Sequence, residues 1–408
     1  MIPFNKALET ILDNASPIDV ETIPVNRAIG RYLALEINAP FPLPLFDNSA
    51  VDGYGIRCQG FTRASISQPI PIKVVGDIPA GSFLNVTLGE REAVKIFTGA
   101  PIPDDVEAVV MREEVENSDP PAIKRPISPG ENIRRKGEEF KEGDRILPVS
   151  SPINPASVGL ISSLGIKSVS VFKKPRIALI VTGNEIVRGR KKLRIGEIYD
   201  ANAPALISAL KFLNLQPQVV EYILDDIQQT IAALKKALTI ADVVIVSGGV
   251  SAGDWDLVGV ALERVGVHKL FHKVAMKPGK PNWFGITDEK PPKLVFGLPG
   301  NPVSALISYH QLVKPALLKI MGSSQPRPLL FTAFIQSEVT KKDRRREFLR
   351  AKLSYQNGYW SVTPFKHQSS HMLGGMTLAD SLIHFPEHLE HLSPGDKVQV
   401  QFLRWDSP

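Results

Sequence analysis

Between residues 175 and 321, short apolar runs alternate with stretches of helical periodicity, and turns rich in glycine or proline separate them. No other feature constrains the fold as much. The runs are RIALIVTG (176–183), 218–224, ADVVIVSGG (241–249), HKLFHKVAM (268–276) and KLVFGLPG (293–300). Helices are predicted over 202–213, 227–240, 254–265 and 302–321. Apolar strands that alternate with helices of this length predict a parallel sheet covered on both faces, a doubly wound α/β domain.

The flanks read differently. Phe4, Ala7, Leu8, Ile11 and Leu12 share one helical face near the start. Pro40, Pro42 and Pro44 favour extended backbone. Residues 45–145 hold short β-rich runs, with a polar loop or hairpin over 128–145. Asn154 before Pro155 starts a helix to about 164, and a strand follows over 166–172. After Gly322 only strand patterns remain, and Gln356-Asn357-Gly358 marks a hairpin turn. That tail predicts a small β-barrel or sandwich. The fold class expected is therefore α/β plus β in several domains. A connecting part comprises 1–44 and 146–174. A mostly-β insertion covers 45–145, the α/β domain 175–324 and the terminal β domain 325–408.

Bulk properties exclude some functions. In 408 residues the charged fraction is 22% and the net charge +6. The densest basic run, residues 341–346, is short and lacks an aromatic binding module, so a small anion is a better partner than nucleic acid. The one cysteine, Cys58, allows no internal disulfide. The N-terminus does not read as a signal peptide, and no run approaches a membrane span. These features predict a cytoplasmic protein without a membrane role.

Four turns carry the candidate chemistry: Thr182-Gly183-Asn184-Glu185, Ser247-Gly248-Gly249-Val250-Ser251, Lys277-Pro278-Gly279-Lys280-Pro281, and Leu298-Pro299-Gly300-Asn301-Pro302-Val303-Ser304. Ligands of open parallel sheets bind at the carboxyl ends of the strands. Glycine lets backbone N–H groups approach an anion, and helix N-termini favour negative charge. The same glycines also serve tight strand–helix turns with no ligand at all. P-loop and dinucleotide fingerprints are absent. Lys277 and Lys280 in a proline-stiffened loop suit a dianion. Glu185, Asp225 or Asp226, and Asp256 end the same strands. Carboxylates beside phosphates imply Mg²⁺, although Asp226 and Asp254 also read as helix caps. His367 and His371 have no third metal-binding partner nearby and no triad acid.

The segments FDNSAVDGYG (46–55), IFTGAPIP (96–103), TGNEIV (182–187), SGGVSAGDWD (247–256), KVAMKPGKP (273–281) and GLPGNPVSALISY (297–309) together resemble the molybdopterin molybdenumtransferases, the bacterial MoeA proteins and the E-domain of gephyrin. The resemblance covers the whole chain. It implies four subdomains with a C-terminal β-barrel, and an elongated homodimer with each active site in a shared cleft. It also implies a reaction in which adenylylated molybdopterin loses AMP with Mg²⁺ and receives molybdate. Transient contacts with the adenylylating enzyme and with apo-molybdoenzymes follow from that place in the pathway.

Carried over by motif, Asp52, Thr98, Glu185, Asp225, Asp256, Lys273 and Lys277 are the implied catalytic residues, with Glu185, Asp225 and Asp256 as metal ligands. Ser247, Gly248, Gly249, Ser251, Gly300, Asn301 and Pro302 fall in the implied molybdopterin site. Lys280, Pro281, Ser304, Arg350 and Ser370 fall in the region assigned to molybdate, which Lys277 shares. On spacing alone Asp52 and Thr98 are turn residues, and Arg350 is a solvated strand residue. Asn184 replaces a usual aspartate, Asp254 a frequent glutamate, and Lys366 and Ser369 usual glycines. Asp105 and Glu107 read as surface differences. Two rival functions are adenylylation of molybdopterin by a related fold, and a non-catalytic scaffold.

Overall fold

A computed structural model describes residues 1–189, 192–249 and 257–403. They divide into two compact units. One holds residues 1–35, 149–159 and 167–403 of the described chain; the other holds 36–148 and 160–166.

The first unit is centred on a six-stranded sheet. Its strands are β1 (Ile177–Thr182), β2 (Pro217–Ile223), β3 (Val243–Ser247), β4 (His268–His272), β5 (Trp283–Ile286) and β6 (Leu294–Leu298), in the spatial order β2-β1-β3-β6-β5-β4. The first four in that order are parallel. Every residue of β1, β3 and β6 is buried, as strands covered on both faces must be. One apolar cluster packs the helices Asn202–Lys211 and Pro302–Ser308 against one face, and a second packs Ile227–Ile240 and Leu257–Arg264 against the other. The doubly wound α/β fold class is thus present.

The far edge departs from an all-parallel sheet. β5, not anticipated from sequence, runs antiparallel to both β6 and β4. HKLFHKVAM is not one strand either. Lys273 adopts φ +67°, which breaks it into β4 and a separate strand, Val274–Lys277. That second piece leaves the α/β sheet and pairs with Ile2–Pro3 on one side and the C-terminal sheet on the other. The Lys277–Pro281 turn therefore leaves the C-terminal sheet, not the α/β sheet as its position in the sequence suggested.

That C-terminal sheet closes into a five-stranded barrel of β7 (Leu330–Ile335), β8 (Arg346–Gln356), β9 (Tyr359–Pro364), β10 (Ser381–Phe385) and β11 (Lys397–Phe402). β10, over residues 381–385, was not anticipated from sequence. Asn357 (φ +53°) and Gly358 (φ +83°) form the two-residue turn between β8 and β9, the backbone a tight hairpin demands. Phe348, Leu382 and Leu403 continue the α/β core cluster, so barrel and sheet share one apolar interior.

The second unit contains a four-stranded sheet of Gly53–Ile56, Lys73–Ile78, Glu92–Ile96 and Ala108–Met111. Gly53 is fixed by crowding: a Cβ there would lie 2.0 Å from the Val110 carbonyl oxygen. Asp105 and Glu107 do more than decorate the surface. Asp105 Oδ2 accepts from Leu88 N at 3.0 Å, and Glu107 Oε2 accepts from Cys58 N at 2.7 Å. Burial and the neighbouring Glu107 push the Cys58 thiol up to about 11. Among the described residues no helix is long and apolar enough to cross a membrane.

A buried polar cluster joins the α/β part to the barrel. Gln401 Oε1 accepts from Gln311 Nε2 at 2.7 Å and lies 3.1 Å from His384 Nε2. Burial holds the His384 imidazole down at about 4 against an ordinary 6.5. The unfolded chain then binds more protons than the native one between those two values, so stability must fall as pH drops through that window. The contribution of this histidine is on the order of 1–3 kcal/mol. Thermal unfolding from pH 7 to pH 4 is expected to show a shallower fall in His384→Gln than in the parent; equal slopes would refute the assignment.

Candidate active site

Strand register gathers the predicted turns. Thr182 pairs with Ile223, Val181 with Ser247, and Ser247 with Leu298, so β1, β2, β3 and β6 end level with one another. The chain passes from β1 to β2 on one side and then crosses back to β3 on the other side of β1, so the strand order reverses there. Ligand crevices form at that switch point. A cleft of about 830 Å³ lies there, and Thr182, Glu185, Asp225, Ser247, Gly248 and Gly300 are among its walls.

Two glycines make the close approach possible. At Gly248 (φ +94°) a Cβ would stand 2.4 Å from the Thr182 carbonyl oxygen, and at Gly249 (φ +65°) one would stand 2.6 Å from the Val258 side chain. Neither position accepts a side chain without displacing backbone or core.

The neighbouring aspartates separate cleanly by hydrogen bonding. Asp226 Oδ1 accepts from Gln229 N at 2.8 Å and caps the helix Ile227–Ile240. Asp225 instead lines the cleft. Its Oδ1 accepts from the Thr182 hydroxyl at 2.5 Å and its Oδ2 from Asn184 N at 3.3 Å. Asn184 Oδ1 in turn accepts from Asp225 N at 3.1 Å. The substituted position thus locks the β1 and β2 turns together. Each Asp225 oxygen retains lone-pair capacity towards the cleft. Glu185 lines the same cleft and is exposed. The expected ligands Ser251 and Asp256, and the Asp254 substitution, lie outside the described residues. Among the described residues no group of three or more metal-binding side chains occurs.

A second cavity, about 440 Å³, adjoins the first. Lys280, Pro281, Pro299, Asn301 and His371 line both. Lys277, Ser304 and Ser370 line the second. Lys277 Nζ also donates to Glu347 Oε1 at 2.8 Å, with the glutamate side chain 7% exposed. Among the described residues Lys280 has no carboxylate partner, so its charge faces the cavities unneutralised. Asn301 Nδ2 donates to Ser370 Oγ at 3.1 Å, which ties the helix-start turn to the barrel loop. Pro302 is the first residue of that helix, where its missing N–H costs nothing.

Arg350 is buried rather than solvated. Its guanidinium donates to the carbonyls of His367, Ser369 and Met372 and to Gln368 Oε1. Gln368 returns a bond from Nε2 to the Arg350 carbonyl. Four of its five N–H groups therefore hold the loop that carries Ser370. Lys273 lines neither cavity; its carbonyl accepts from Ile2 N. In the second unit Asp52 Oδ1 accepts from Thr98 N at 2.8 Å and Thr98 Oγ1 at 2.7 Å. Those bonds hold the Asp52 carboxyl below its usual range.

Sequence reasoning missed Asn202, Tyr199, Asp200, Arg345, Gln368 and His371 as cavity residues. Asn202 is the most informative. Its Nδ2 donates to Ser247 Oγ at 2.9 Å and Gly300 O at 2.7 Å, stitching two Gly-rich turns together. With Ser247 Oγ already an acceptor, its own proton is left to donate elsewhere. From sequence Asn202 reads only as the first residue of a helix, and its place two residues after Asp200 is the one local signal.

Residues 2–165 match the MoeA N-terminal region (domain I and II), 178–319 a probable molybdopterin binding domain, and 332–403 the MoeA C-terminal region (domain IV). The chain belongs to the molybdopterin molybdenumtransferase family. The molybdopterin molybdenumtransferase of Staphylococcus aureus (strain Mu50) is 32% identical over 407 residues, 100% of this chain and 96% of the relative. Molybdopterin molybdenumtransferase 2 of Mycobacterium tuberculosis (strain H37Rv) is 35% identical, with 94% of each chain covered. The crystal structure of the molybdopterin biosynthesis MoeA protein from Pyrococcus horikoshii OT3 superimposes with a TM-score of 0.84 at 30% identity, covering 98% of this chain and 100% of that one. A molybdopterin molybdenumtransferase is a transferase of molybdenum cofactor biosynthesis, and every residue lining the cleft at the switch point except His371 falls in the matched molybdopterin-binding region.

Proposed function

We propose that the chain takes adenylylated molybdopterin, releases AMP with Mg²⁺, and places molybdate on the dithiolene. The observation that carries this reading is the continuity of two unlike cavities through Lys280, Pro281, Pro299, Asn301 and His371. One cavity has carboxylates and close backbone; the other has lysines and hydroxyls. A phosphoanhydride and a tetrahedral dianion need those two environments side by side.

The residues present fit Mg²⁺, which takes one or two carboxylates and fills its remaining positions with phosphate oxygens and water. Asp225 and Glu185 would hold it, with Asp256 as the third assigned acid. When bound, the ion neutralises the diphosphate and makes it a better target for water. Ser247, Gly248, Gly249 and Gly300, with Ser251 assigned beside them, hold the molybdopterin part through hydroxyl and backbone donors. Asn301 and Pro302 set the turn that faces it. Lys277, Lys280, Ser304 and Ser370 hold molybdate beside Pro281, and Arg350 acts by fixing the 367–372 loop. The resemblance assigns Lys273 to the terminal phosphate, although it lines neither cavity.

Asp52 and Thr98 complete the site from the partner subunit of a homodimer. Their mutual hydrogen bonds support a built carboxylate rather than a loose turn residue. We place the enzyme in the cytoplasm, in transient contact with the adenylylating enzyme and with apo-molybdoenzymes. The test combines purified protein, adenylylated molybdopterin, Mg²⁺ and molybdate, and measures AMP release and activation of an apo-molybdoenzyme. Both signals should require Mg²⁺. Consumption of ATP with plain molybdopterin would instead place the chain one step earlier.

A further inference from the structure

A third cavity, about 530 Å³, opens beside the main cleft and has no role in the chemistry above. Tyr199 and Asp200 line both spaces, so the two are continuous. Val187, Arg188, Gly189, Pro204 and Tyr222 complete its walls. The Arg188 guanidinium carbon lies over the Tyr222 ring, 4.1 Å from its centroid, a cation–π contact. Arg188 follows the short strand Ile186–Val187, which pairs with Ile198–Tyr199. Arg188 and Tyr199 therefore come from adjoining pieces of backbone, while Tyr222 stands on β2.

The ring below the guanidinium is fixed. The Tyr222 hydroxyl donates to Asp200 Oδ2 at 2.8 Å, while Asp200 Oδ1 accepts from Asn202 N and Ala203 N at the start of the helix Asn202–Lys211. Burial and the Asp200 carboxylate push the Tyr222 phenol up to about 12, so it stays a neutral donor. Both Asp200 oxygens thus already accept hydrogen bonds. What the cavity offers is a planar cation on an anchored aromatic ring, a half-exposed second tyrosine and a proline. A flat heterocycle gains stacking on the guanidinium plane, as bases do on arginine and aromatic side chains.

We propose that the Arg188–Tyr222 shelf binds a flat heterocycle of the substrate, the adenine or the pterin ring. The choice of these two heterocycles rests on the reaction proposed above. The shelf orients one end of the substrate while the diphosphate crosses the Asp225–Glu185 region of the main cleft.

AMP and 6-hydroxymethylpterin, titrated separately into the full chain by calorimetry, test this. Arg188→Ala and Arg188→Lys are expected to weaken one of the two probes about tenfold, equivalent to ~1.4 kcal/mol. Lysine keeps the charge and loses the plane, so it should fail like alanine. Tyr222→Phe keeps the ring under the guanidinium and loses only its bond to Asp200, so it should lose less affinity than Arg188→Ala. Loss confined to AMP assigns the nucleobase to the shelf; loss confined to the pterin assigns the pterin ring. The proposal is overturned if both probes bind the Arg188 variants as tightly as the parent, or if neither probe binds the parent. It is equally overturned if lysine restores full affinity, or if Tyr222→Phe loses as much as Arg188→Ala. AMP release from adenylylated molybdopterin by the parent is measured separately. Its absence would sink the proposed reaction and leave the titration result standing.

Discussion

Asp225→Asn is expected to slow AMP release from adenylylated molybdopterin by roughly 10²–10³-fold, the scale on which one preorganised electrostatic group acts. The substitution keeps the side-chain volume and removes the charge. Thr182 and Asn184 both donate to Asp225. An asparagine satisfies one donor and meets the other with its own N–H, so stability should fall by only about 1 kcal/mol. The adjacent residue supplies the control. Asp226 caps a helix through Gln229 N, so Asp226→Asn should cost at most ~1 kcal/mol of stability and leave turnover within a few-fold. Rates of AMP release across a Mg²⁺ titration, with thermal unfolding alongside, separate the two. Equal losses in both variants would remove Asp225 from the metal site.

These two aspartates also mark how far the sequence could be read. Strand and helix periodicity between 175 and 321 sufficed for the doubly wound sheet, because fully buried strands are apolar throughout. The Asn357-Gly358 hairpin was legible for a local reason, the positive φ of both residues. Where long-range pairing decides, local signals ran out. Nothing in 268–277 announces that Lys273 turns the chain out of one sheet into another. In the LDD triplet Asp226 already reads as a helix cap, but that Asp225 faces the cleft follows only from Thr182 and Asn184, 43 and 41 residues away, reaching it. Asn202 and Arg350 were misjudged for the same reason. An asparagine at a helix start and an arginine in an alternating strand look solvated until the turns they hold are folded against them.

Arg350 gives the second large effect, and one that separates scaffold from ligand. At 1% exposure its guanidinium holds the carbonyls of His367, Ser369 and Met372, so the loop bearing Ser370 has its shape from this side chain. Arg350→Ala leaves buried acceptors without donors, at about 3 kcal/mol, which corresponds to a fall in melting temperature of roughly 5 °C or more. With the loop released, Ser370 loses its register with Asn301, and the KM for molybdate should rise at least about tenfold. AMP release measured without molybdate should change far less, because Asp225 is held by Thr182 and Asn184 and not by this loop. Lysine in place of Arg350 supplies the charge at one point but cannot span three carbonyls, so it should behave like alanine in both melting temperature and molybdate KM. The discriminating outcome is a lysine variant with parental melting temperature and lost molybdate saturation. That combination means the guanidinium acts on the oxyanion itself through its remaining N–H. Parallel loss of both means that molybdate is held by a loop whose geometry Arg350 fixes from behind.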